Sequence, residues 1–294
     1  MKQVRPKKNL GQHFLIDLNI AQAIADTVDA YPDIPVLEVG PGMGVMTQFL
    51  IRKPRPLAVV EIDRESVAYL KRTLFRGNEG AEARGCENCT EIQDAKSISR
   101  TPVPPYPRTP ELIEGDFLRM DLHQLFGGQP FVLTGNYPYD ISSQIFFKML
   151  DNKDQIPCCT GMIQREVALR IASQPGTKAY GILSVLIQAW YDVEYLFTVD
   201  EHVFNPPPKV KSAVIRMTRN DVRELGCDET LFKRVVKTVF NQRRKMLRVS
   251  LRQLFSHDKM PGADFFAEEM MTKRPEQLSI PQLVELTNLC APFL

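Results

Sequence analysis

Four consecutive residues, Asn136-Tyr137-Pro138-Tyr139, have the groups needed to hold an amino nitrogen against an electrophilic carbon. The exocyclic nitrogen of adenine is a weak nucleophile, because its lone pair is delocalised into the ring. The Asn136 side-chain oxygen and the Tyr137 backbone carbonyl can both accept its N–H bonds. Held rigidly by Pro138, two such acceptors keep the nitrogen in line with a methyl sulfonium. They also stabilise the positive charge that develops on it. Tyr139 offers a π face for the base. No His or Lys has to remove a proton before attack, since the proton becomes acidic once the methyl is attached. The same residues also suit a plain turn.

A second segment, Phe204-Asn205-Pro206-Pro207-Pro208-Lys209-Val210, holds three prolines in a row and is stiff and extended. Phe204 is then either the opposite stacking face for the base or a core residue of a rigid linker. A base must leave its helix or loop to enter such a pocket, which costs roughly a few kcal/mol.

The residues that bind a co-substrate sit at the ends of short apolar runs. Val36-Leu37-Glu38-Val39 leads into Gly40-Pro41-Gly42-Met43-Gly44, where glycines let a ligand approach the backbone. Leu57-Ala58-Val59-Val60 ends at Glu61, 21 residues after Gly40, at the spacing of a ribose-binding acid. Asp116 ends the next run and can accept from an adenine amino group. The third glycine comes one residue early for a dinucleotide fingerprint, and no pyrophosphate signature remains. A ligand with one nucleoside and no phosphate fits better, and S-adenosylmethionine is such a ligand.

These residues need a frame. Asp17 caps a helix running to about Tyr31, and helices are predicted at 44–51, 65–75, 142–150, 165–173 and 181–189. Strands are predicted at 36–39, 57–60, 112–115, 131–133, 158–163, 191–197 and 212–218. The alternation argues a doubly wound, mainly parallel α/β sheet with its strand ends along one edge. After residue 220 the pattern turns helical, with helices over 229–256 and 280–289, so residues 220–294 form a smaller helical domain after a catalytic domain of 1–219. Residues 77–110, with five prolines between 102 and 110, read as a surface insertion.

The 294 residues are 44% hydrophobic and 24% charged, which suits a folded globular chain and excludes collagen-like, disordered and disulfide-miniprotein classes. No apolar run long enough for a transmembrane helix and no secretory signal is read, so a cytoplasmic location is expected. The six cysteines are irregularly spaced and are expected as reduced thiols. Cys86 and Cys89 lack a second ligand pair at zinc spacing, and no metal is expected. The net charge is only +2, yet windows 1–8, 202–219 and 231–257 contain no acid and together hold sixteen Lys and Arg. The remainder therefore carries a net −14. Such segregation is what a polyanion-binding face needs, and all three windows are expected to flank the adenine pocket or form the helical domain beside it. On a helix, Arg244, Arg248 and Arg252 would share one face.

Together these motifs resemble the rRNA adenine N6,N6-dimethyltransferase family. The matching stretches are Asn9-Leu10-Gly11-Gln12-His13-Phe14-Leu15, Leu37-Glu38-Val39-Gly40-Pro41-Gly42, Val60-Glu61-Ile62-Asp63, Gly115-Asp116 and Gly135-Asn136-Tyr137-Pro138-Tyr139. Tyr180-Gly181, Phe204 to Val214 and Phe240-Asn241-Gln242-Arg243-Arg244-Lys245 extend the match. The resemblance implies a seven-stranded class I, Rossmann-like methyltransferase sheet. It implies transfer of two methyls to each of two adjacent adenines in the 3′-terminal hairpin of small-subunit rRNA, on an assembling 30S-type particle. The implied cofactor contacts are His13, Leu15, Gly40, Gly42, Glu61, Asp116 and Asn136. The implied catalytic pocket is Asn136, Tyr137, Pro138 and Tyr139, with Phe204 stacking. RNA contacts are expected at Lys209, Lys211, Arg243, Arg244, Lys245, Arg248 and Arg252, with a monomeric enzyme and neither DNA nor membrane as partner. Two positions depart from the family, which usually has Leu at Tyr137 and Asn at His13. Competing readings are the large-subunit dimethyltransferase of macrolide resistance and a non-catalytic assembly or transcription factor on the same scaffold.

Overall fold

The computed structural model describes residues 6–7, 12–75 and 110–294. Cys86, Cys89, Asn9 to Gly11 and nearly all of the 77–110 insertion lie outside these.

The chain opens with β1 (Phe14–Leu15) and α1 (Leu18–Asp26). The Asp17 carboxylate caps α1, accepting from the N–H groups of Asn19 and Ile20 at 2.8 and 3.1 Å. The helix expected to reach Tyr31 tightens into a 3-10 turn over Thr27–Ala30. There follow β2 (Val36–Val39), α2 (Thr47–Leu50), β3 (Leu57–Glu61), α3 (Arg64–Thr73), β4 (Glu111–Glu114), β5 (Val132–Asn136) and α4 (Ser142–Asp151). Then come β6 (Cys158–Gln164), α5 (Arg165–Ile171), α6 (Ile182–Gln188), β7 (Tyr191–Val199), β8 (Phe204–Asn205) and β9 (Ser212–Arg219).

Seven strands form one sheet in the order β4-β3-β2-β5-β6-β9-β7. The pairings from β4 to β6 are parallel, and β9 runs antiparallel to both β6 and β7. The connection from β6 to β7 holds α5 and α6, long enough for a parallel return, whereas β7 to β9 does not hold a helix of that kind and reverses. Strands β2 and β3 are buried at every position, which is why they read as continuous apolar runs rather than alternating ones. A separate two-stranded ladder pairs Phe14 with Asn205 and Leu15 with Phe204.

The C-terminal part holds α7 (Glu229–Asn241), α8 (Leu247–Ser250), α9 (Ala263–Ala267) and α10 (Ile280–Cys290). The single helix expected over 229–256 is broken. Residues 241–245 offer no apolar side chain to bury, and the Lys245 N–H instead closes a turn onto the Gln242 carbonyl at 2.7 Å. Arg244 lies in this turn, Arg248 in α8 and Arg252 in the 3-10 turn Leu251–Leu254, so they do not share a helix face. The boundary at residue 219 coincides with the end of β9, yet the apolar core does not stop there. Phe232 meets Trp190 edge-on at 6.1 Å and Phe240 meets Tyr180 at 6.0 Å, so α7 packs on the same core as one face of the sheet. No helix among the described residues is long and apolar enough to cross a membrane.

Of the acid-free windows, 231–257 lies in the helical part, residues 1–5 and 8 of the first lie outside the described residues, and 202–219 starts beside the pocket but runs away from it. β9 carries its charges away from that edge, and at its far end the Arg219 N–H donates to the Pro157 carbonyl while its guanidinium donates to the Trp190 and Val222 carbonyls. Acids from neighbouring elements also meet these windows: Arg216 pairs with Glu194 at 2.7 Å, Lys211 with Asp200 at 2.5 Å and Lys233 with Asp151 at 2.9 Å. For these three, folding supplies the counter-charges that the windows lack in sequence.

Candidate active site

The sheet order lines up the expected residues along the C-terminal edge of the parallel strands. Glu61 ends β3 opposite Glu114, so Asp116 falls just beyond it, and the Gly115 N–H donates to the Glu61 carbonyl at 2.9 Å. Next comes the turn after β2, whose Gly40 N–H donates to the Val60 carbonyl at 2.9 Å. Asn136 ends β5 on the other side of β2. One cleft runs the length of this edge and is lined by His13, Leu15, Gly40, Gly42, Glu61, Asp116, Asn136, Tyr137, Pro138 and Tyr139 among others.

At one end of the cleft lies the glycine turn. Gly42 has φ +56°, a left-handed conformation that costs an L side chain, and an added Cβ would meet the Phe14 ring at 3.0 Å. Its N–H donates to Glu61 Oε2 at 3.0 Å, while the Asp63 N–H donates to Oε1 at 2.9 Å. Burial raises the Glu61 pKa, and these two N–H groups hold it back. Each carboxylate oxygen keeps a second lone pair for a ribose diol. Asp116 points one oxygen at the Leu118 N–H, 2.9 Å away, and its other oxygen lies 3.5 Å from Arg119 Nε at the half-open rim.

Glu38 was not anticipated. It is a fully buried carboxyl in an apolar strand, burial pushes its pKa up to about 8, and its Oε2 is without a hydrogen-bond partner. A buried orphan oxygen in a cleft calls for a donor from a ligand or water. The described lining includes Glu38, Glu61, Asp116 and Asp140 but neither Lys nor Arg. That charge suits a cationic, phosphate-free ligand such as S-adenosylmethionine, with its ammonium and sulfonium, and repels a pyrophosphate. The residues present therefore fit this cofactor.

At the other end, Asn136 donates from Nδ2 to the His13 carbonyl at 3.3 Å. A carbonyl only accepts, so this bond fixes which end of the amide is which and leaves Oδ1 as the available acceptor. His13 also holds this end together through its ring. Its Nδ1 is 2.8 Å from the Pro206 carbonyl, so Nδ1 carries the proton, and the ring stacks on Tyr139 at 5.7 Å. The Tyr139 hydroxyl is 2.5 Å from Ser212 Oγ, and burial raises its pKa. Tyr137 turns its side chain into the core, where its hydroxyl donates to the Thr160 carbonyl at 3.0 Å. Gly161, at φ +149°, makes the room, since a Cβ there would meet the Tyr137 ring at 2.8 Å. Phe204 is 3% exposed and is not among the described lining residues, because the β1–β8 ladder lays Leu15 beside it in the core.

The family model of ribosomal RNA adenine dimethylase matches residues 3–81 and 97–288. The chain belongs to the ribosomal RNA adenine dimethylase family. The ribosomal RNA small subunit methyltransferase A of Bacteroides thetaiotaomicron is 62% identical over 98% of this chain and 95% of its own length. Those of Porphyromonas gingivalis and Flavobacterium johnsoniae are 53% and 47% identical, again over 98% of this chain and 99% and 97% of their own. Two solved structures share the fold at lower identity. A dimethyladenosine transferase from Plasmodium falciparum has a TM-score of 0.72 at 21% identity, covering 96% of this chain and 98% of its own. The 23S rRNA methyltransferase ErmE has a TM-score of 0.59 at 24%, covering 92% of this chain and 99% of its own.

For a member of the adenine dimethylase family, the placement of the basic residues matters next. Lys209 and Lys211 are exposed on the segment after Phe204, and Arg244, Lys245, Arg248 and Arg252 are exposed around the turn before α8 and beyond it. Arg243 is half-buried and donates to the Lys178 carbonyl at 2.9 Å, so its first task is to tie this turn to the α5–α6 connection. Lys7 pairs with Asp63 at 2.5 Å, tying the N-terminal segment to the acid-bearing end of β3. Burial pulls the Asp63 pKa upward, but Lys7, Ser66 and the Glu65 N–H together hold it below the usual range. Two signals in the sequence pointed to what was missed: an acid inside an apolar strand at Glu38, and the basic pair Lys7-Lys8 upstream of the matched Gln12-His13.

Proposed function

We propose that the chain transfers two methyl groups to the N6 nitrogen of each of two adjacent adenines in the 3′-terminal hairpin loop of small-subunit (16S) rRNA, on an assembling 30S-type particle. The observation that carries this reading is the single cleft joining Glu61 and Asp116 at one end to Asn136–Tyr139 at the other. The names of the curated relatives reported above favour the small subunit over the large one. S-adenosylmethionine supplies an electrophilic methyl on sulfur. Glu61 accepts from the ribose and Asp116 from the cofactor's adenine, while Glu38 offers a buried carboxylate to its ammonium. Asn136 Oδ1 and the Tyr137 carbonyl accept the two N–H bonds of the target nitrogen. In the first transfer they orient its lone pair and stabilise the charge that grows as the new N–C bond forms and the methyl–sulfur bond breaks to leave a thioether; the nitrogen then sheds its proton to solvent and presents its one remaining N–H for the second transfer.

Tyr139 supplies the stacking face for the flipped base. A stacking role for Phe204 requires the β1–β8 ladder to open. Lys209, Lys211, Arg244, Lys245, Arg248 and Arg252 contact phosphates, with Arg243 bracing their turn. In this reading residues 1–219 form the catalytic domain and 220–294 the RNA-binding domain of a monomeric, cytoplasmic enzyme.

The test is methyl transfer from labelled S-adenosylmethionine to immature small subunits that lack the modification. Label should appear on two adjacent adenines near the 3′ end of the small-subunit rRNA. Asn136→Ala should lose at least about a hundredfold in rate while still binding the cofactor. Label on large-subunit rRNA only, or none from a protein that binds the cofactor, overturns the reading.

A further inference from the structure

We infer that Lys148, on the helix that follows the acceptor motif and outside the matched motif stretches, is a positioning residue that pins the Asp116 loop for cofactor binding. Asp116 opens a 3-10 turn over Phe117–Arg119, capping it with its own carboxylate. Such a turn leaves its last carbonyls without partners inside the turn. Lys148 Nζ donates to the Leu118 carbonyl at 3.1 Å and to the Met120 carbonyl as well. The ammonium also lies 5.4 Å from the centre of the Phe117 ring, and Phe117 and Leu118 line the cleft beside Asp116. A lysine near the end of a helical turn is well suited to bond its exposed carbonyls.

The helix that carries Lys148 gives this contact its consequence. α4 starts directly after the acceptor motif, where the Ser142 hydroxyl donates to the Tyr139 carbonyl at 3.2 Å. Six residues on, Lys148 grips the loop that begins at Asp116, the residue assigned to the cofactor's adenine. One rigid element therefore sets the distance between the methyl-acceptor end and the adenine end of the cleft. Without the ammonium, two carbonyls lose their donor and the turn bearing Asp116 is released.

The inference rests on the cofactor reading, and binding assays separate the two. Lys148→Met keeps the apolar stem and removes the donor. Its dissociation constant for S-adenosylhomocysteine should rise about tenfold, and the KM for S-adenosylmethionine with it. At saturating cofactor, kcat should stay within about twofold. The preference for S-adenosylhomocysteine over S-inosylhomocysteine, which lacks the amino group that Asp116 accepts, should shrink. A general loss of stability would not move that ratio. Lys148→Arg should restore both affinity and preference to within about threefold. Lys148→Leu, which also lacks a donor, is read in the same way should the methionine variant not fold. Unchanged affinity, or weakened affinity with the preference intact, overturns the role of Lys148. Failure of the wild-type protein to bind S-adenosylhomocysteine overturns the cofactor reading itself, and this inference with it.

Discussion

The amide of Asn136 has a donor end and an acceptor end, and the His13 carbonyl decides which one faces the cleft. That orientation is what a methyl-acceptor nitrogen needs, since its two hydrogens require acceptors. Glu38 sets a second residue-scale condition. With its pKa pushed up to about 8, its carboxyl is neutral at pH 7 until a cation claims it. Cofactor affinity should therefore climb by up to about tenfold per pH unit below pH 8 and level off above it. Isothermal titration at several pH values, with Glu38→Gln as the pH-flat comparison, measures this. The same shift bears on stability. The folded state keeps a proton that the unfolded chain releases in the ordinary carboxylate range. Glu38 thus favours folding in acid, and its contribution is lost as pH rises to about 8, a decline that Glu38→Gln should reduce.

Elements impose constraints that single residues do not. The turn after β2 works because Gly42 takes a left-handed φ of +56° and leaves space for Phe14. Gly42→Ala should cost about 1–2 kcal/mol in denaturant unfolding and weaken cofactor binding, because the displaced turn no longer delivers its N–H to Glu61. Tyr137→Phe is a contrasting case on the neighbouring strand end. It removes a buried hydroxyl from the Thr160 carbonyl, should cost about 1–2 kcal/mol of stability, and should leave cofactor affinity unchanged. The Tyr137 side chain is thus accommodated by the core through Gly161. The β1–β8 ladder was invisible in the sequence because strands of two residues show no periodicity. The break after α7 was legible in principle, since no apolar residue stands at 241–245, but the helical spacing of the arginines hid it.

Over the whole molecule, the arrangement of charge differs from its arrangement along the chain. Arg216, Lys211 and Lys233 each have an acidic partner from another element, whereas Arg244, Arg248 and Arg252 stay exposed on successive turns. Replacing these three arginines together with glutamine should weaken binding to small-subunit particles. The logarithmic salt dependence should become shallower by about one for each phosphate no longer neutralised. Binding measured across a salt series checks it, and cofactor affinity should not change, because none of the three lines the cleft.

The sequence by itself determined the turn at Asn136–Tyr139, the order of the strand ends along the cleft and the glycine turn, because each depends on local backbone geometry and on apolar runs that must be buried. The net charge of +2 and its acid-free windows are also matters of sequence. Only the tertiary structure decided which of those charges remain unopposed, that Phe204 lies in the core, that Glu38 stands in the cleft with an unpartnered oxygen, and that Lys148 reaches the turn after Asp116. These outcomes depend on the meeting of segments far apart in the chain, and no local pattern encodes the partner a side chain will find.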